Sequence, residues 1–185
     1  MSAITGPIVD RIVPRSAVSD VSLVISGALL TALSAQIQVP MYPVPMTLQT
    51  LAVLLIAAAL GPWRAITSMG LYLAMGAAGL PVFAAAKSLT AVMPTAGYLV
   101  GFIAAGALVG YLANRGLSKS GLGVSFSCAL GSAVIYIFGA GWLVVGLGMT
   151  PAAAIAAGVL PFLIGDLVKA IAAAALLPLA WKLVR

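Results

Sequence analysis

Hydrophobic positions in this chain come in long runs rather than in the stripes of a water-facing fold. VSLVISGALLTALSAQIQV is the first, and five more follow, separated by proline, glycine and a few charges. A membrane-crossing helix needs about 20 mostly apolar residues. The runs predict six such helices, near 21–39, 45–60, 65–80, 95–113, 122–147 and 161–182. The second and third are short and need extension into their flanks. Residues 1–20 read as a cytoplasmic N-terminal tail and 21–185 as one membrane domain. The first run is longer than a signal-peptide core and lacks a small-x-small cleavage site, so it is expected to be retained.

Three connections are themselves apolar and carry prolines: MYPVP, LPVFAAAKSLTAVMPT and TPAAAIAAGVLP. Irregular apolar backbone at a membrane is tolerated where it is buried in protein or lines a cavity. All three fall on the same side, where they can cap a pocket. The third reads as a short helix, with Thr150 as cap, Pro151 at the first helical position and Pro161 as a kink or restart. GPWR and NRGLSKSG, on the other side, read as plain polar turns.

Composition agrees with this picture. The chain has 185 residues, 63% hydrophobic and 6% charged, against about 25% charged in soluble domains. The expected class is an all-α integral membrane protein. Its net charge of +6 does not point to nucleic acid, because Lys and Arg collect in cytoplasmic loops. With the N-terminus inside, Arg11, Arg15, Arg64, Arg115, Lys119, Lys182 and Arg185 fall inside and only Lys87 outside. This places both termini in the cytoplasm. One cysteine, Cys128, excludes an internal disulfide. No histidine and three aspartates leave little for a metal site or His-based catalysis. There is no phosphate-binding G-x-x-x-x-G-K-[ST] loop, so the chain is not its own ATPase.

Against this background PFLIGDLVKA stands out. Asp166 and Lys169, three apart, share a helix face, and Asp166 lies about 8 Å below Pro161 at 1.5 Å per residue. Charges within a membrane are costly and normally face the bundle interior. The pair is either a ligand contact or a mutually neutralising ion pair that orients the helix. Gln49, with Thr47 and Thr50 beside it, suits a neutral polar ligand head or an interhelical hydrogen bond. Phe83, Thr95 and Tyr98 flank the second connection, as pocket residues or as an aromatic belt. Lys87 is either an anion attractor or a solvated loop lysine, and Gln36 and Gln38 read as interfacial. Small residues recur four apart at Ala28 and Ala32, at Gly97 and Gly101, and at Gly106 and Gly110, which permits close helix contact with a partner that spacing leaves open.

VPMYPVPMTLQTLAVLL, GPW, GLYLAMGAAGLPVFA, PTAGYLVGF and LPFLIGDLVKA, in this order and spacing, resemble the BioY family, the biotin-binding S components of energy-coupling factor (ECF) transporters. The resemblance implies six membrane helices, with biotin captured from outside in an occluded pocket as a transported ligand rather than a cofactor. Delivery then requires a transmembrane T component and ABC-type ATPases. It assigns Gly165, Asp166 and Lys169, with Pro45, Thr47 and Gln49, to the ligand, and Ala28 and Ala32 to docking on the T component. Ala85, Ala86, Met93 and Ala96 stand where the family commonly has glycine, so the connection they occupy is expected to differ in shape. An S component for another vitamin and a non-transporting scaffold are the alternatives.

Overall fold

The computed structural model of the chain describes residues 6–90 and 93–184. Residues 1–5 of the tail, Ala91 and Val92 of the second apolar connection, and Arg185 lie outside them. Seven α-helices account for most of the described chain: α1 (Ala17–Ala35), α2 (Gln49–Leu60), α3 (Pro62–Ala77), α4 (Ala96–Asn114), α5 (Gly121–Val145), α6 (Pro151–Gly158) and α7 (Phe162–Leu183). Six coincide with the apolar runs, within a few residues at each end. The seventh, α6, is the short helix expected before Pro161, with the Thr150 hydroxyl accepting from the Ala153 amide and Pro151 opening the helix. α1, α4, α5 and α7 are long and apolar enough to cross a membrane. The 12 residues of α2 extend about 18 Å, well short of the ~30 Å hydrocarbon layer.

The all-α expectation needs one small correction. The MYPVP connection is closed by a two-residue antiparallel ribbon, β1 (Gln38–Val39) paired with β2 (Met46–Thr47), with Gln38 opposite Thr47. The prolines between them cannot continue a helix, and the backbone groups on either side pair with each other instead. β2 leads directly into α2 and lengthens that short segment.

α4 occupies the centre, packed on α2, α3 and α5, and over half of its apolar window is buried. Its glycines serve contacts within this chain. A Cβ on Gly101 would lie 3.1 Å from the Ile135 Cα on α5, and one on Gly110 only 2.5 Å from the Pro62 nitrogen. Ala28 and Ala32 pack within this chain. Ala28 is wholly buried and Ala32 nearly so, in the core beside Met69 and Tyr72 of α3. Their small size lets α1 approach α3. The exposed face of α1 carries Ile25, Leu29 and Leu33 instead.

At one end of the bundle the chain folds back on itself. Residues 17–20 of the expected tail are the first turn of α1, capped by Ser16. Residues 8–11 form a 3₁₀ turn that buries Ile8 and Val9. Arg64, at the start of α3, holds Asp10 at 2.6 Å and Asp20 at 2.6 Å, and Arg15 also pairs with Asp10. Burial alone would raise the Asp10 carboxyl, but hydrogen bonds from Arg15 and Arg64 outweigh it and hold the group below the ordinary carboxylate range.

At the other end, residues 80–90 carry the connection that leaves α3. Phe83 is buried and meets Tyr72 edge-on with centroids 5.3 Å apart. Gly76 makes the room, since a Cβ there would lie 2.0 Å from the Phe83 ring. Gln36, expected to be merely solvated, grips this connection. Its amide nitrogen donates to the Phe83 carbonyl at 3.2 Å and its oxygen accepts from the Ala86 amide at 3.1 Å. Ala85 (φ 59°) and Ala86 (φ 53°) both adopt the left-handed conformation. Both alanines thus hold a backbone conformation in which glycine is at home.

Two outcomes follow. A native carboxyl held below its unfolded value contributes stability that is fully present above about pH 4 and lost as pH falls through the native value. The thermal midpoint of the detergent-solubilised protein should therefore drop on acidification below about pH 4, and Asp10→Asn should lower the midpoint at pH 7 while flattening that drop. Left-handed Cβ crowding costs about 1–2 kcal/mol per residue, offset by about 0.4–1 kcal/mol of added unfolded-state freedom. Ala85→Gly and Ala86→Gly should each raise stability by up to about 1 kcal/mol in thermal unfolding; a fall for both would refute the strain.

Candidate functional site

The costliest group in the apolar region is the Asp166 carboxylate, one turn into α7, and three elements supply its partners. Lys169 Nζ, on the same helix face, lies 2.8 Å from Oδ1. The Thr50 hydroxyl of α2 donates to Oδ1 at 3.1 Å and accepts from Lys169 Nζ at 2.8 Å. Tyr136 of α5 donates its phenol proton to Oδ2 at 2.6 Å. The two charged side chains are only 10% and 12% exposed. A buried pair this well supplied with hydrogen bonds survives where either charge alone would not. α7 touches little besides α2 and α5, so these four groups are its main polar attachment to the bundle.

The pair lines a cavity with about 530 Å³ of atom-free space, its open mouth included. The rest of the lining is polar at Thr47, Gln49 and Thr95, and apolar or aromatic at Phe83, Tyr98 and Phe162. Seven of the eight sequence-chosen site residues thus meet in one space: Asp166, Lys169, Gln49, Thr47, Tyr98, Phe83 and Thr95. Lys87 does not join them. It is exposed, and the connection uses its carbonyl, which accepts from the Phe83 amide at 2.9 Å. A backbone bridge ties this residue to Phe83.

Several polar groups in the wall already have partners. Gln49 Nε2 donates to the Tyr72 phenol oxygen at 2.7 Å, and its Oε1 accepts from the Thr47 hydroxyl at 2.9 Å. Tyr72 passes its own proton to the Val82 carbonyl at 3.1 Å. The interhelical hydrogen bond is therefore present, and Gln49 presents the remaining capacity of its amide to the cavity. Tyr98 donates to the Gly158 carbonyl at 2.7 Å, which fastens the end of α6 over the cavity, and it packs edge-on against Phe162. Trp142 Nε1 holds the Met93 carbonyl at 2.8 Å. Thr95 differs: among the described residues its buried hydroxyl oxygen has no hydrogen-bond partner, a state that costs about 1–3 kcal/mol.

Sequence reasoning left Tyr136 out altogether and mentioned Thr50 only as a neighbour. One signal was present for Tyr136, a hydroxyl inside the apolar run AVIYIFGAG. Among the described residues no group of three or more His, Cys, Asp or Glu is placed to hold a metal ion.

The model of the BioY family matches residues 9–185. A Pyrococcus horikoshii protein named as a probable biotin transporter BioY is 39% identical over 82% of this chain and 89% of its own length. The biotin transporter BioY of Thermotoga maritima is 36% identical over 81% and 90%, and that of Rhizobium etli 39% identical over 72% and 76%. Among solved structures, the S-component for biotin from an ECF-type ABC transporter superposes with a TM-score of 0.77, covering 91% of this chain and 95% of that one at 24% identity. That likeness fixes the fold.

Replacing Tyr72 by Phe removes one hydroxyl from the buried wall and leaves Gln49 Nε2 without its acceptor. Tyr72→Phe should cost about 1–3 kcal/mol of stability, read from thermal unfolding in detergent. An unchanged midpoint would show that the Gln49–Tyr72–Val82 chain carries no weight.

Proposed function

The chain belongs to the BioY family, and from that premise we propose that it is the substrate-binding S subunit of a biotin uptake transporter, not an enzyme. It sits in the cytoplasmic membrane of a prokaryote with six spanning segments, α6 lying across the mouth, and both termini in the cytoplasm. The cavity then opens toward the outside beneath its three apolar connections, and biotin is held there in an occluded state. A T component and ABC-type ATPases supply the energy, as befits a chain without a phosphate-binding loop.

The observation that carries this reading is the placement of the buried Asp166–Lys169 pair in the same cavity wall as the aromatic and amide groups. Biotin offers complementary chemistry. Its ureido ring has two N–H donors and a carbonyl acceptor, its tail ends in a carboxylate, and its fused ring is otherwise apolar. Phe83, Tyr98 and Phe162 suit the ring, while Asp166, Gln49, Thr47 and the unpaired Thr95 hydroxyl suit its polar edge. Lys169 is the cation within reach.

Biotin added to the purified chain should raise its melting temperature, and Asp166→Ala should weaken binding at least about tenfold, since it unpairs a buried charge. Titration calorimetry on correctly folded protein checks both. No shift at saturating biotin, with a different vitamin identified by mass in the purified protein, would reassign the ligand.

A further inference from the structure

We propose that the end of the bundle opposite the cavity holds a phospholipid whose head carries a primary ammonium, with an acyl chain lying between α1 and α3. The proposal is independent of what the cavity binds.

Two recesses meet at this end. One is an open apolar groove between α1 and α3, lined by Val21, Val24 and Ile25 on one side and by Trp63, Thr67 and Leu71 on the other. Residues 63, 67 and 71 recur four apart and form one stripe, about 12 Å long at 1.5 Å per residue. Val21 and Ile25 are about half-exposed, and the Thr67 hydroxyl is spent on the Trp63 carbonyl of its own helix at 2.8 Å. The second recess is polar and is lined by Asp10, Arg15 and Asn114. Asp20, Trp63 and Arg64 belong to both. An apolar groove that opens into a polar recess has the shape of an amphiphile's site. Trp63, 79% exposed where the two join, suits the level at which indole rings meet lipid headgroups.

Charge selects the head. The charged side chains of the two recesses are Asp10, Arg15, Asp20 and Arg64, and they cancel. A zwitterionic head keeps that balance, whereas an anionic one leaves a negative excess. Arg64 is committed to Asp10 and Asp20 at 2.6 Å each. Arg15 is not: its side chain is 72% exposed and meets Asp10 through one nitrogen. Most of its guanidinium donors are left for a phosphate.

Asp20 supplies the complementary acceptor. Its side chain is 50% exposed, and both contacts with Arg64 fall on Oδ1. Among the described residues Oδ2 accepts no hydrogen bond, and the Asn114 amide oxygen has no partner either. Acceptors without donors call for a head that has N–H groups to give. A primary ammonium has them, and the quaternary ammonium of a choline head does not.

Native mass spectrometry of the detergent-purified full chain, incubated with equimolar phosphatidylethanolamine and phosphatidylcholine of the same acyl chains, tests this. The ethanolamine lipid should be retained about tenfold over the choline lipid, the worth of one charge-assisted hydrogen bond. It should also be retained over phosphatidylglycerol. Asp20→Asn should erase the preference between ethanolamine and choline heads. That change also loosens Arg64, so two further variants leave the Arg64–Asp20 contact intact. Arg15→Gln should lower retention of both lipids and keep the preference, and Val24→Trp, which fills the groove, should displace both. Equal retention of the ethanolamine and choline lipids overturns the proposal and leaves the groove to an apolar helix of a partner. Stronger retention of phosphatidylglycerol, or full retention by Val24→Trp, overturns it as well.

Discussion

A carboxylate placed among apolar helices must be surrounded by donors, and much of this site's architecture follows from meeting that demand at Asp166. Its partners come from three helices, Thr50 on α2, Tyr136 on α5 and Lys169 on α7. Helices in lipid have no hydrophobic force drawing them together, so polar contacts of this kind carry much of the specificity of their arrangement. α7 is the least buried of the four long helices and presents Ile164, Leu167 and Val168 outward. Its rotation about its own axis is set where the charges lie. The group that holds the bundle together is therefore the same group that faces the cavity.

The rest of the cavity is held by a second set of bonds that run through backbone carbonyls at its rim. Tyr98 reaches Gly158, Trp142 reaches Met93 and Tyr72 reaches Val82. Each ties a large side chain of a packed helix to an irregular segment. The wall is rigid where helices meet and is fastened, rather than built, where connections cross it. Tyr98 has both duties, since it lines the cavity and holds α6.

The helices were legible because lipid demands long apolar runs, and the six runs match six helices closely. α2 was legible as a segment but not as a complete crossing, because its approach is extended backbone stabilised by pairing with Gln38 and Val39. Asp166 and Lys169 were legible because a charge in such a run has few explanations. Thr50 and Tyr136 were not, since a hydroxyl in an apolar helix is common and its partner lies 116 or 30 residues away. Ala28 and Ala32 show the limit of spacing as a signal. Small residues four apart announce a close contact without saying with what, and here the contact is α3. Lys87 shows the same for charge on a loop, which here lies exposed outside the cavity.

Gln36 grips the 82–86 connection entirely through main-chain atoms, two carbonyls and one amide. Every residue type supplies those atoms. The shape of this rim is thus insulated from the identity of the residues that form it, apart from Phe83, which fills the space left by Gly76. Alanine can stand at 85 and 86 at a local cost without redrawing the mouth. A lineage can therefore drift through this stretch, exchanging side chains that face the entrance, while the cavity beneath keeps its form.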